Sequence, residues 1–492
     1  MTYRTFTQQC SRNNLRQISY EKRSGFRGVF RIFVKMETAR HRIALLLDKG
    51  SFEEYDKSVH DGESVITGRG TIDGRAVYVY SHVFKVCGGS ISEAVSTKIC
   101  KVADMAITEG APFICLNESG GARIQDGLGG LAGLGEIFTR QISASGVIPQ
   151  ISGVFGPCAG GAVYSPALSD FIIMIEDTSY MFLTGPGVVK KVTGEDVVHE
   201  VLGGASVHAS KSGVAQFVAE SEAEGINIMK KLLSFLPSDN RRKPPFRPTE
   251  DPADRLCKRF HEIVPENPAK AYDMHEVIGC LVDDGEFLET HSKWARNIIT
   301  CFGHMGGHSV GIVANQPAML AGALDINAAR KAARFIRFCD AFNIPIISLI
   351  DVPGYLCGTQ QEHNGAIIHG AKLLFAYGEA TVPKIGITLR KSYGGAHIAM
   401  SCKQMRSDVN FAWPGASFAV MGPEGAGEIL HSKKLQQQYE DTSGSPYAAA
   451  EKGYIDEVIE PEETRIRIIK ALEDLVEKKT DRPWKKHDNM PL

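Results

Sequence analysis

The sequence predicts an α/β protein built from one unit used twice, each unit a mainly parallel sheet covered by helices. Three observations carry this. Short β-branched runs alternate with helical stretches, the order that buried parallel strands require. The same landmarks recur in both halves at a nearly constant offset, and a proline-dense stretch lies between them. At 492 residues the chain exceeds what one hydrophobic core usually supports, so two domains of about 200 residues each are expected.

The first 36 residues stand apart from the rest. They hold eight basic residues (Arg4, Arg12, Arg16, Lys22, Arg23, Arg27, Arg31, Lys35) against one acid, Glu21. Three readings stay open: an organelle-targeting presequence, a basic tail, or an extension ahead of a start at Met36. The first unit, 37–240, opens on "TIDGRAVYVYS", a β run with a Gly turn. Next comes "ISEAVSTKICKVADMAI", whose apolar residues recur at three and four spacing, and then Pro112 and a second β run. Seven of the chain's 22 prolines fall between Leu236 and Lys270. Such density prevents a regular helix or central strand, so 241–270 is read as a linker. The second unit, 271–492, repeats the first. Gly74 and Gly307, Lys98 and Lys331, and Pro112 and Pro345 are each 233 apart; Pro149 and Pro383, and Gly161 and Gly395, are 234 apart; Gly185 and Gly422 are 237 apart. Six anchors in order, drifting by only four residues, mark a duplication.

Composition narrows the function. A net charge of −2 gives no reason to invoke nucleic acid or an anionic membrane, and no apolar run approaches the roughly 18 residues of a membrane helix. The eleven cysteines are scattered singly, with no Cys-x-x-Cys pair, which excludes zinc ribbons and thioredoxin-like motifs and fits a reducing compartment. The 15 histidines show no metal-ligand spacing, and neither a P-loop, a dinucleotide fingerprint nor a Gly-x-Ser-x-Gly elbow is present. Fifty glycines, about a tenth of the chain, point to backbone that turns sharply or approaches a ligand.

Two glycine pairs occupy equivalent places, in "GPCAGGAVYSPALS" (156–169) and "RKSYGGAHIAMS" (390–401). Gly-Gly after a strand leaves backbone N–H groups able to converge on one oxygen, as an oxyanion hole requires. Gly160 with Gly161, and Gly395 with Ala396, are the candidates. Turn geometry or packing is the competing reading, and the start of the first helix stays open because Pro166 prefers a first turn and Ser165 could cap it. Two facing oxyanion holes would suit a group passing between two carbonyl compounds. A third stretch, "NESGGARIQDG" (117–127), sets Gly120, Gly121 and Ala122 beside Arg123, which suits a phosphate-bearing ligand or a plain turn.

These stretches, with "FLTGPGVVKKVTGEDV", "LDINAARKAARFIRFCDAFNIPIISLIDVPGYLCGT", "AVMGPEGA" and the closing "RPWKKHDNMPL", resemble the carboxyltransferase (β) subunits of biotin-dependent acyl-CoA carboxylases. The likeness covers roughly residues 37–492. It implies two tandem crotonase-like (ClpP/crotonase) domains, each a ββα superhelix, in a homo-hexamer with active sites between the N-half of one chain and the C-half of another. It further implies acyl-CoA on the N-half, with Gly160 and Gly161 holding the thioester enolate oxygen and Gly120, Gly121, Ala122 and Arg123 near CoA. Biotin, brought by a partner's carrier domain, would rest its ureido oxygen at Gly395 and Ala396. Carboxybiotin that loses CO2 leaves a base able to remove the acyl α-proton, so no side-chain base is required. The chain has neither a biotin-attachment Ala-Met-Lys-Met nor an ATP-grasp signature. A biotin carboxyl carrier and biotin carboxylase partner is therefore implied, with no metal or nucleotide on this chain. Localisation would be cytoplasmic in a prokaryote, or the mitochondrial matrix in a eukaryote with the basic segment as transit peptide.

Departures and rivals complete the reading. Cys357 stands where the family usually has proline, His363-Asn364 where it has Gly or an aromatic, and Ile398 where propionyl-preferring relatives commonly have an acid. Ile398 is accordingly expected to alter acyl-chain preference. The same chemistry run in reverse, as in methylmalonyl-CoA decarboxylase α subunits, or in transcarboxylase cores, is the near alternative. A crotonase-like hydratase would need paired carboxylates beside the acyl chain, and none is adjacent in sequence to either glycine pair.

Overall fold

Among the described residues, two eight-stranded sheets with the same topology organise the fold. The computed structural model describes residues 38–59, 61–422 and 444–491; the basic segment read from residues 1–36 lies outside them, as does the run after Gly422 in "AVMGPEGA". In the first half β1 (Glu53–Tyr55), β2 (Val65–Ile72) and β3 (Arg75–His82) pair antiparallel. β4 (Phe113–Ser119), β5 (Gln150–Ala159), β6 (Phe171–Ile175) and β8 (Phe217–Ala219) then add on in parallel, with β7 (Tyr180–Phe182) pairing the far end of β5.

The second half repeats this order. β9 (Phe287–Thr290), β10 (Ile298–Met305) and β11 (His308–Asn315) are antiparallel; β12 (Ile346–Val352), β13 (Lys384–Tyr393), β14 (Val409–Ala412) and β16 (Glu457–Val458) are parallel; and β15 (Ser417–Ala419) pairs the end of β13. Two-residue turns close both hairpins, Asp73-Gly74 and Gly306-Gly307, with positive φ at every position (50°, 75°, 57° and 81°). Glycine is favoured there because a primed turn needs left-handed backbone.

The long helix that follows each hairpin starts with a side-chain cap in both copies. α1 (Ala39–Leu46) precedes the first sheet; α2 (Glu93–Glu109) starts where the Ser92 hydroxyl accepts the Val95 N–H and ends at Gly110 with φ 71°. α3 (Leu128–Ala144) and α4 (Glu222–Phe235) complete the first half. In the second, α5 (Ile326–Ala341) starts at Asp325, whose carboxylate accepts the Ala328 N–H, and α6 (Ala366–Glu379) follows. The duplicated lysines do matching work. Lys98 donates to the carbonyls of Gly62 and Val65, and Lys331 to those of His291, Trp294, Ala295 and Ile298, so each ammonium sits buried at the start of the second strand of its sheet.

One core cluster spans both halves. Phe171 and Phe235 of the first meet Phe302 and Phe338 of the second, with the Phe171 and Phe338 rings 4.6 Å apart at 77°. The proline-dense stretch forms one helical turn, Phe260–Ile263, and lies along the second half: Cys257, Phe260 and Ile263 are buried in its core, and Arg465 donates to the Pro252 carbonyl. Prolines there stop regular structure without making a free tether, because apolar side chains between them are drawn into the core.

Candidate active site

The site begins where each sheet breaks register. Between β4 and β5 the pairing runs to Asn117 with Val154 and then jumps to Ser119 with Cys158; between β12 and β13 it runs to Ile350 with Thr388 and jumps to Val352 with Ser392. The longer strand bulges, and its last three residues, still beside β4 or β12, pair on their other side with β7 or β15 in place of β6 or β14. Each glycine pair stands immediately after this diverted end.

In the first half Ala159 is followed by the helical turn Gly160–Val163 and then by Tyr164–Leu168. The turn begins at the glycines rather than at Ser165 or Pro166. Gly160 has φ 60°, a left-handed conformation that a side chain resists, and a Cβ there would meet nothing within 4 Å. The loop after β4 lies against it: a Cβ on Gly121 would come within 2.8 Å of the Ala159 carbonyl oxygen and 3.8 Å of Gly160 Cα. The Gly120 N–H donates to the Gly88 carbonyl, the Gly121 carbonyl accepts from Ile91, and the Arg123 N–H donates to Ile91. That bridge points the Ala122 amide, between its two partners, away from Ile91. Arg123 itself turns inward, donating to Ser90, Ser64 and the Asp61 carbonyl, so its guanidinium braces the loop.

In the second half α7 (Gly394–Ala399) follows β13 directly. Gly394 has φ 59°, matching Gly160 rather than Gly161. Gly395 and Ala396 are the second and third residues of α7, where backbone N–H groups have no acceptor within the helix. Gly395 is exposed with nothing within 4 Å of a Cβ, whereas Ala396 is fully buried. Ile398 is 45% exposed on the same turn, and Cys357, His363 and Asn364 are exposed on the preceding loop and short helix. His397 shares a 2.8 Å hydrogen bond with Ser392 and meets the Phe418 ring edge-on; burial lowers its pKa, which keeps it neutral near pH 7. Among the described residues, no group of three or more His, Cys, Asp or Glu could hold a metal ion.

The carboxyl transferase domain profile matches residues 36–490. The chain belongs to the carboxyltransferase family. It is 54% identical over 477 residues to the propionyl-CoA carboxylase beta chain of Roseobacter denitrificans, covering 92% of this chain and 94% of that one. It is 51% identical over 475 residues to the mitochondrial propionyl-CoA carboxylase beta chain of Homo sapiens, covering 92% and 88%. Its structure matches transcarboxylase 12S, a hexameric multienzyme core solved with hydrolysed methylmalonyl-CoA bound, at a TM-score of 0.90 and 46% identity over 93% of each chain. The carboxyltransferase fold is thus the pair of crotonase-like α/β units that the sequence predicts.

In this carboxyltransferase the tertiary structure also reveals groups that sequence adjacency hides. Glu118 and Asp351 lie at the base of the two glycine-bearing sites, buried and salt-bridged to Arg42 and Arg390. The sequence signal was the 233 offset between them; their partners had none. Gly394, the conformational twin of Gly160, was likewise legible only by carrying the 234 offset back one residue.

Proposed function

We propose that this carboxyltransferase moves a carboxyl group between carboxybiotin and the α-carbon of a short acyl-CoA, propionyl-CoA or acetyl-CoA in the forward direction. The observation that carries this is the repetition, in both halves, of a diverted strand end followed by a left-handed glycine and a helical turn with open backbone amides. Two such turns match two substrates that each develop negative charge on a carbonyl oxygen, and removing one donor from a site of this kind typically costs about 3 kcal/mol in the transition state. Gly160 and Gly161 would receive the thioester oxygen, with Gly120, Gly121 and Ala122 forming the adjoining wall and Arg123 bracing it. Gly395 and Ala396 would receive the ureido oxygen of biotin. The space around a Gly395 Cβ and the exposure of that residue fit a bulky carried group.

Carboxybiotin supplies CO2 and, once it has lost it, the base. The protein contributes fixed N–H donors, alignment of the two substrates and exclusion of water. Neither Glu118 nor Asp351 is placed for a hydratase, since each is buried and ion-paired to arginine. A homo-hexamer served by a biotin-carrying carboxylase partner is the assembly we infer. Its setting would be the cytoplasm of a prokaryote or the mitochondrial matrix of a eukaryote. Exposed Ile398 would leave the acyl pocket apolar and shift chain preference.

The test uses the purified protein with free biotin and either methylmalonyl-CoA or malonyl-CoA, following biotin-dependent loss of the carboxyl group. Turnover is expected, with the preferred ester reporting on Ile398. Binding of both esters without turnover, with free biotin and with a carrier domain alike, would sink the reading.

A further inference from the structure

The register break poses a problem that each half solves differently. In the second half Leu389–Lys391 have no ladder partner on β12, and Asp351 fills the gap. Its Oδ1 accepts the Lys391 N–H at 3.2 Å and its Oδ2 the Arg390 Nε–H at 2.8 Å. Arg390 Nη1 gathers the carbonyls of Pro265, Asn267 and Lys270, and its guanidinium lies 4.6 Å over the Tyr272 ring. β13, β12 and the proline-rich segment are thereby joined at one buried carboxylate, whose partner Lys391 stands three residues before Gly394.

The first half has Gly156 where the second has Arg390, at the same 234 offset. Glu118, equivalent to Asp351, lies directly on that glycine: a Cβ would meet its Oε1 at 2.7 Å and its Cγ at 2.8 Å. No arginine can come from this strand, and the charge is met from elsewhere. Arg42 of α1 donates through Nη1 to Glu118 at 2.5 Å, while its Nε and Nη2 hold Glu222 at 2.8 Å each. All four are deeply buried: Glu118 4% and Arg42 1% exposed, Asp351 0% and Arg390 5%.

Buried ion pairs seldom stabilise a fold relative to apolar residues of the same volume. Shared ancestry accounts for two equivalent carboxylates. It does not account for arginines recruited from unrelated positions to keep both of them. We propose that Glu118–Arg42 and Asp351–Arg390 are positioning pairs, each setting the bulge that aims the glycine turn of its own half, so that the first governs acyl-CoA and the second biotin. This rests on the carboxyl-transfer reading above.

Steady-state kinetics with free biotin and methylmalonyl-CoA separate the two pairs. Asp351→Asn and Arg390→Lys are expected to lower kcat/KM for biotin by up to about a hundredfold, the scale of an ångström's misplacement. KM for methylmalonyl-CoA and its calorimetric affinity should stay within about twofold. Glu118→Gln and Arg42→Lys should do the converse. The double variant Asp351→Asn/Arg390→Gln removes both charges of the pair and leaves only Lys391, 3.8 Å from Asp351, which keeps its bond to the Pro268 carbonyl, so it recovers most of the thermal midpoint that a single variant loses. The biotin defect should persist in that folded double variant. Recovery of wild-type biotin efficiency there would reduce the pair to a structural role, and equal movement of both substrates' constants in every variant would overturn the division between halves. A wild-type protein inert with biotin would instead strike the carboxyl-transfer reading, and this inference with it.

Discussion

One added methyl in each glycine turn separates packing from catalysis. Gly161→Ala places a Cβ 2.5 Å from Leu134 Cδ1, and Leu134 is 3% exposed on α3, so the leucine must leave its position. Overpacking of this kind costs about 1–3 kcal/mol. Gly395→Ala meets no heavy atom within 4 Å, and neither glycine has a positive φ. Replacing such a glycine restricts the unfolded chain and stabilises by about 0.4–1 kcal/mol. The two variants therefore differ by about 1.5–4 kcal/mol with opposite signs, and at an unfolding entropy of about 2.1 cal/mol/K per residue a unit of this size shifts by about 1 °C per kcal/mol, a gap of roughly 1.5–4 °C in midpoint. Scanning calorimetry reads it directly. The valine versions carry the functional half: Gly161→Val should impair the acyl-CoA side and Gly395→Val the biotin side, each by about a hundredfold or more if one donor is lost. A Gly395→Ala protein less stable than Gly161→Ala would refute the packing argument. Folded valine variants that lose both ligands equally would refute the assignment of one turn per substrate.

The duplicated lysines should differ in worth. Lys331→Met strips four buried carbonyls of a donor and Lys98→Met two, so the first should cost more, by about 1–3 kcal/mol, in urea unfolding. His275 supplies a pH signature. Its bond to Glu289, aided by Asp273, raises its pKa against the effect of burial, so the stabilisation is full below the unfolded value near 6.5 and is lost as pH rises through the raised folded value. His275→Gln should accordingly lower the midpoint at pH 5.5 and leave it nearly unchanged at pH 9. The difference should be under about 1 kcal/mol because the pair is partly solvated.

Much of this fold was legible in one dimension. Ser92 and Asp325 announce α2 and α5, Asp73-Gly74 and Gly306-Gly307 announce the hairpins, and the near-constant offset announces the second copy. Residues 156–169 and 390–401 marked the two turns for the same reason, and transcarboxylase 12S shares their fold. These are features of neighbours along the chain: caps reach three residues, turns two, and alternation or helical spacing a few more. Other readings needed distance. That the glycine turns stand on diverted strand ends follows from a register jump that only pairing reveals. That Arg123 braces its own loop follows from Ser64 and Ser90, 59 and 33 residues away.

By itself, then, the sequence determined the duplication, the elements and the location of both turns, because each is written in local spacing. Tertiary structure alone decided which arginine meets each buried carboxylate: Arg42 from 76 residues away in one half, Arg390 from 39 in the other. The reason is physical. A buried charge must be neutralised by whatever cation the fold brings within hydrogen-bonding reach, and where Gly156 has no side chain to offer, that cation comes from a helix no local pattern connects to it.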